Sequence, residues 1–432
     1  MHFFKLLLSC VLGLFLTPLF SQLRQDTVWY DEGRKFPKEI FSKDASGNKQ
    51  GYYCSFFSNG RFEKCGRFEN NERDSIWDFF EEDGWLALKV QFSKGLRDGN
   101  ETEYDFRGNL VYQCPWKLGK KHGKCYSYHS NGKIESELQY IDGLVQGEVN
   151  RYDAEGNRTQ VSNYRDEVMD GMFLNYYPNG QIETKGFYKM GEKDSIWELY
   201  YKNGILKSRA LYKEGEVSGS ITVMDSLGKR VQMVTWEKGV RNGPYEKYFD
   251  TGEVAESGTY SDNQLNGEVK EYYPGGIVKA KVPFVYGKIT GVQEIYDKKG
   301  NLMEKNTWES GIKNGPHAMY FPNGKIAEEI TYNLGTEEGP FTLYYENGNK
   351  AQTGFYRAGE LQPDFQFFDE SGVLSATGQV LGEKRQGLWK FYHSNGQLSA
   401  EGEYKNGERT GAWKFYDETG KEIPEPQKNT DK

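Results

Sequence analysis

A glycine recurs every 24 residues, sixteen times in succession, from Gly60, Gly84 and Gly108 to Gly396 and Gly420, without one insertion or deletion. Seven of these glycines follow Asn and one follows Asp. A fixed period sustained over so long a chain means one supersecondary unit stacked on copies of itself, each touching only its neighbours.

With the turn glycine as position 0, other columns hold the same phase. Position −9 is Gly in 13 of 16 units, the exceptions being Ser75, Ser195 and Pro363. Position −4 is aromatic in all but one unit, where Met224 stands. Position +8 is aromatic in 14 of 15 units, with Val380 the exception, and position +11 is Gly in 11 of 15. The three glycine columns hold 40 of the chain's 51 glycines, so composition and periodicity are one observation. Aromatics make 15% of the chain and all hydrophobics 36%, which leaves little aliphatic material for a large globular core.

A helical repeat is excluded, since two or three glycines per unit would each cost a helix interior about 1 kcal/mol. The segments between glycines are rich in Tyr, Phe, Trp, Val and Ile and end in Asn-Gly, Asp-Gly or similar steps, the signature of hairpins. The expected fold is all-β: an elongated single-layer antiparallel β-meander or solenoid of about sixteen 24-residue hairpin repeats and about 32 strands. At ~4.8 Å per strand it would reach roughly 150 Å.

Turns centred near 0 and +12 make each column face the same column on both neighbouring strands. The +8 aromatic then faces the −9 glycine on either side, a ring covering a residue without a side chain. The often aromatic −7 position (Trp77, Phe173, Trp197, Trp389, Trp413) faces +6, commonly Gly or small. The −4 tyrosines have the opposite parity. Either both faces carry aromatic rows, or a three-residue turn with a bulge re-aims these side chains.

Residues 1–21 read as a secretory signal peptide: Lys5, the apolar run Leu6 to Phe20, and cleavage near Ser21-Gln22. No later apolar run is long enough to predict a transmembrane span in the mature chain. Residues 22–50, off the repeat phase, are expected to cap the first edge of the array (51–420), and residues 421–432 to form a disordered tail. The net charge of −8, more negative once Lys5 leaves, argues against nucleic acid and anionic lipid as partners. An exported chain also suits disulfides. Cys54 and Cys65, and likewise Cys114 and Cys125, are spaced to face one another across predicted turns, so both pairs are disulfide candidates.

Catalytic patterns are scarce. His122, His129, His317 and His393 lie in different units and mostly fill columns that elsewhere hold Tyr, Phe or Asp. Asp-Ser-Ile-Trp occurs at residues 74–77 and again at 194–197, five units apart, which suits a turn serine in place of glycine better than a nucleophile. Neither zinc-binding spacing, nor a calcium loop, nor a phosphate-cradling glycine loop is present, so no cofactor or metal is expected.

The segments Gly171–Gly191 (GMFLNYYPNGQIETKGFYKMG) and Gly387–Gly407 (GLWKFYHSNGQLSAEGEYKNG) resemble MORN repeats, in particular the bacterial variant form found in YwqK-family antitoxin-like proteins. The resemblance covers residues 51–420, although the 24-residue unit is slightly longer than the usual one. It implies a twisted β-sheet used as a scaffold or binding surface. A leader-like start argues against a cytosolic antitoxin. There is a looser likeness to cell-wall repeats that hold choline or glucan between aromatics.

Together these features predict a non-enzymatic, exported repeat scaffold that binds a protein partner along an aromatic-rich face. The alternative is an envelope or extracellular glycan-binding protein. The candidate binding row is the −4 column: Tyr104, Tyr128, Tyr152, Tyr176, Tyr200, Tyr248, Tyr272, Tyr296, Tyr320, Tyr344, Tyr392 and Tyr416. An exposed row would favour binding and a buried one would make these residues core.

Overall fold

The computed structural model describes residues 23–33 and 35–426, and the expected signal peptide lies outside them. The chain divides into two compact units at Gly204/Ile205. In the first unit, strands follow one another as an antiparallel meander: Arg24–Trp29, Pro37–Lys43, Lys49–Phe56, Phe62–Glu69, Glu72–Phe80 and so on, each paired with its sequence neighbour. The second unit follows the same plan, from Leu206–Lys213 and Glu216–Met224 to Leu398–Lys405 and Glu408–Tyr416. No helix occurs among the described residues. The all-β meander read from the 24-residue period is thus the fold.

Two turn types alternate. At position 0 the chain makes a three-residue loop: Gly60 N–H donates to Phe57 O (2.9 Å) and Phe57 N–H to Arg61 O (2.8 Å), with Gly60 at φ 84°. Every turn glycine of this column has positive φ, a conformation that costs a Cβ-bearing residue energy. At +10 and +11 both residues are left-handed, as in Lys94/Gly95 and Leu118/Gly119, which makes a two-residue turn of the twist-compatible kind.

Successive tips are bonded to each other. Along one margin the Asn at −1 donates to the carbonyl at −2 of the next repeat, as Asn59 to Glu82 (3.1 Å) and Asn395 to Glu418 (2.9 Å). Along the other, the N–H at +11 donates to the carbonyl 22 residues earlier, as Gly95 to Arg73 (2.9 Å) and Gly335 to Lys313 (2.8 Å). An inserted residue would break these tip-to-tip bonds, which accounts for the invariant spacing.

One expected pairing is corrected. In the hairpin around position 0 the +8 ring does face the −9 glycine, as in Gly51↔Phe68 and Gly99↔Trp116. In the other hairpin +8 faces −11 instead, as in Phe68↔Arg73, Phe92↔Arg97 and Tyr404↔Arg409. The cause is an irregularity in that hairpin at −10/−9. The −9 glycine takes φ between 67° and 130°, and at two of the exceptions Ser75 and Ser195 adopt φ near 60° in its place. The irregularity also cuts six outgoing strands in two, as in Lys120–Lys121 and Gly123–Tyr128, and with two further strands before the first repeat the described residues form forty strand segments where 32 are expected.

The ring-covered glycine is the one at +6. A Cβ added to Gly66 would lie 2.2 Å from the Trp77 ring, and one added to Gly378 would lie 2.3 Å from Trp389. These glycines are flanked on both sides by −7 side chains, as Gly66 is by Tyr53 and Trp77, whose rings meet 5.5 Å apart. Three −7 indoles donate to the +7 carbonyl, Trp77 to Arg67 (3.0 Å), Trp197 to Phe187 (3.1 Å) and Trp389 to Gln379 (3.0 Å), whereas the buried Trp413 Nε1 has no hydrogen-bond partner. The +8 rings stand edge-on, Phe68 to Trp77 at 86° and Tyr404 to Trp413 at 88°.

The ends differ from expectation at one point. Arg24–Trp29 and Pro37–Lys43 are two strands that continue the first unit's meander, and Phe41 stacks beside Tyr53. At the other end, Glu422–Ile423 pairs with Phe415–Tyr416, so the segment beginning at residue 421 is not wholly a tail. The turn at Gly420 is an ordinary member of its column, so its return strand starts. Pro424 and Pro426, which lack the N–H a ladder needs, follow where it stops.

Candidate functional site

Strand alternation gives each unit two chemically different faces. On the first, the ring face, the −7 column is buried and the +8 rings pack on it. A column not singled out in the sequence completes this face. Position −11 is Lys or Arg in nine of sixteen repeats. In the structure each of these cations lies over rings: Arg73 over Trp77 (4.7 Å), Arg241 over Tyr260 (4.4 Å), Arg385 over Trp389 (4.6 Å), Arg409 over Trp413 (4.3 Å). The slipped register brings them there, because +8 is paired directly with −11. Each such contact contributes about 0.5–2 kcal/mol, depending on desolvation. The recurrence of Lys and Arg at the 24-residue period was the signal that could have revealed it.

On the second, the open face, lie −8, −6, −4, +5 and +7. The −4 tyrosines are here and all twelve are half-buried, so they are neither a bare row nor core. Several of their hydroxyls donate to neighbouring carboxylates: Tyr200 to Glu198 (2.7 Å), Tyr344 to Glu329 (2.6 Å), Tyr416 to Glu401 (3.2 Å). Burial together with the Glu329 carboxylate pushes the Tyr344 pKa up to about 12. Both alternatives left open for this column hold in part. The tyrosines do occupy the other face, and a register shift next to them pairs −4 with +2, as in Phe56↔Phe62.

The −6 and +5 columns form ion pairs across strands. Glu294 is held between Lys281 and Lys305, both at 3.2 Å, and accepts from Tyr296 (2.5 Å). These partners, the Tyr296 hydroxyl foremost, hold its carboxyl below the usual range.

What remains uncovered on the open face is the −8/+7 row. Each buried −7 tryptophan of three repeats follows an exposed aliphatic residue: Ile76 is 58% exposed beside Trp77 at 0%, and Leu388 54% beside Trp389 at 1%. Ile196 and Trp197 repeat the contrast. Tyr52, Met172 and Phe187 extend the row in the first unit, and Val292 and Phe355 in the second. Each unit has an open groove on this face. One, about 340 Å³, is lined by Tyr52, Cys54, Cys65, Arg67, Ile76 and Asp78. The other, about 680 Å³, is lined by residues that include Phe355, Asp364, Gln366, Leu388, Lys390 and Tyr392.

Cys54 and Cys65 are directly opposed and joined as a disulfide in the first groove. Cys114 and Cys125 are joined on the ring face, where they occupy the +6 and −7 positions that elsewhere hold a glycine and its ring. The histidines are dispersed. His129 and His393 contact the Tyr152 and Tyr416 carbonyls as tyrosines do at that position, and His317 packs in the −7 column against Asn306 (2.8 Å). Ser75 and Ser195 donate to their neighbours Asp74 and Asp194. Among the described residues no group of three or more His, Cys, Asp or Glu is placed to hold a metal, and no helix is long and apolar enough to cross a membrane.

A sheet whose rings pack on glycines and whose tips are bonded at a fixed interval is a β-repeat scaffold. The model of the MORN repeat variant matches seven segments of the chain: 121–142, 169–190, 193–214, 265–286, 313–334, 337–358 and 385–406. Every match runs from −11 to +10, in phase with the columns above. No curated protein matches the sequence. Among solved structures, a crystal structure of TcdB2-TccC3-Cdc42 is similar at 10% identity, over 92% of this chain and 28% of that one, with a TM-score of 0.14. The Tc holotoxin pore of Photorhabdus luminescens is similar at 10% identity, over 90% and 27%, with a TM-score of 0.15. The chain thus spans under a third of the length of those chains, and superposition at this level carries no argument about function.

Proposed function

We propose that the chain is a non-catalytic, exported scaffold that binds a protein partner along the open face. The observation that carries this reading is the uncovered apolar −8/+7 row beside fully buried rings. Apolar patches of this kind on a soluble surface mark interaction sites. The binding row is therefore placed at −8/+7, with the −4 tyrosines as its half-buried flank. Export is supported by the leader-like sequence and suits two disulfides. The test is a pull-down with native protein and with a Phe355→Asp/Leu388→Asp variant. A defined partner retained by the first and lost by the second is expected; repeated recovery of nothing by the native protein counts against the reading.

A second reading, glycan binding, draws on the larger groove, where Asp364, Gln366, Lys390 and Tyr392 combine polar groups with a ring. Polysaccharide affinity gels test it: retardation weakened by Tyr392→Ala supports it, and free migration through every envelope glycan dismisses it.

A further inference from the structure

We propose that Cys54–Cys65 is an exchange site, opened reversibly by a dithiol reductant, while Cys114–Cys125 is a fixed structural bond. The two disulfides sit on opposite faces. Cys114 and Cys125 are both 0% exposed. Cys54 and Cys65 are only half-buried and line the open groove between Tyr52, 80% exposed, and Ile76. Thiol–disulfide exchange requires an attacking thiolate to reach a sulfur, so access separates the two bonds.

The sheet does not need the first bond in order to hold its register. The same hairpin is fixed by Tyr53↔Gly66 and Ser55↔Lys64 on either side of the cysteines, and in every other repeat the −6/+5 positions pair without a covalent bond, through an ion pair as at Asp78 and Lys89 or an apolar contact as at Val161 and Leu174. Cys114–Cys125, by contrast, fills the site where other repeats pack a ring on glycine.

A third observation concerns the reduced state. Across the next hairpin Cys65 is paired with Asp78, whose buried Oδ1 has no hydrogen-bond partner and lies 3.6 Å from Lys89 Nζ. A thiol at Cys65 supplies the missing donor. The carboxylate also repels an anionic attacker from that sulfur, so attack falls on Cys54. The reductant's thiolate bonds to Cys54 Sγ, the Sγ–Sγ bond breaks, and Cys65 leaves with the electron pair and takes a proton from solvent. The reductant's second thiolate then attacks its own sulfur in the mixed disulfide and releases Cys54 as a thiolate. Two electrons pass to the protein and the dithiol ends as a disulfide.

The native full-length protein is titrated with dithiothreitol, quenched with an alkylating agent and mapped by mass spectrometry, with near-ultraviolet circular dichroism recorded in parallel. Cys54 and Cys65 are expected to open at reductant concentrations at least about tenfold below those needed for Cys114 and Cys125, with the dichroism unchanged. Glutathione as a monothiol probe should leave its adduct on Cys54. Opening of both bonds together, opening of Cys114–Cys125 first, loss of the tertiary signal along with Cys54–Cys65, or four free thiols at the outset would each overturn the proposal. An adduct on Cys65 would overturn the assigned direction of attack.

Discussion

Leu388 and Trp389 are neighbours in sequence and opposites in structure. Trp389 lies against Gly378 under Arg385 and its indole is bonded to a backbone carbonyl, whereas Leu388 projects from the other side of the same strand and is 54% exposed. Ile76/Trp77 and Ile196/Trp197 repeat the contrast in the first unit. One strand thus serves two ends. Its ring face supplies the packing that a thin sheet otherwise lacks, and its open face keeps apolar surface that the fold does not use.

The sharpest way to break this comparison is to remove the ring. Trp389→Ala should cost about 3–5 kcal/mol, as for a large buried aromatic, measured by urea unfolding of the full chain. A loss below about 1 kcal/mol would mean that the ring face does not hold the fold. Gly378→Val attacks the same contact from beneath. Its added carbons meet the Trp389 ring, and a loss of about 1–3 kcal/mol is expected. Arg385→Ala removes the cation over Trp389, Phe391 and Tyr404 and should cost about 1 kcal/mol, with Arg385→Lys recovering part of it.

Glu101 sharpens the comparison through pH. It replaces a ring in the −7 column and is 4% exposed, and desolvation raises its pKa despite Arg97 nearby. A carboxyl with a raised folded value carries no penalty at pH below its ordinary range. It loses stability as pH rises from the unfolded value through the folded one. Glu101→Gln should remove that decline, visible as a flatter pH dependence of the unfolding midpoint; an unchanged profile would show that the burial is harmless. The turn aspartates act in the opposite sense. Asp105, Asp297 and Asp417 are held below the usual range by hydrogen bonds from their own turns, so their contribution is present above the ordinary carboxylate value and is lost as pH falls through the lowered one. The smallest effect belongs to the open face: Leu388→Ser should change stability by no more than about 0.5 kcal/mol.

Much of this was legible in the sequence because the period fixes the turns, and the turns fix which columns meet. The −7/+6 pairing and the two cysteine spacings followed from that arithmetic. The −9 glycines did not. Pattern alone could not distinguish a glycine that makes room for Phe68 from one that bends the chain at Gly51, and the bend changes the register of every second hairpin. That slip seats Arg73 and Arg385 over the rings, so the cation column stayed hidden although its spacing was visible. The −4 tyrosines were readable as a row, but their exposure depends on carboxylates such as Glu329 and Glu401, which come from neighbouring strands and follow no strict column. The exposed row was missed because −8 mixes Ile, Leu and Tyr with Asn, Lys, Glu and Pro.

The central claim is that the open face meets a partner and the ring face does not. It is tested most directly by placing a photo-crosslinking amino acid at position 388 or at position 385, both exposed but on opposite faces, and irradiating the protein in its own cells. Discrete cross-linked products from position 388 and none from 385 are predicted. Products from 385 alone, or none from either position, would contradict the account.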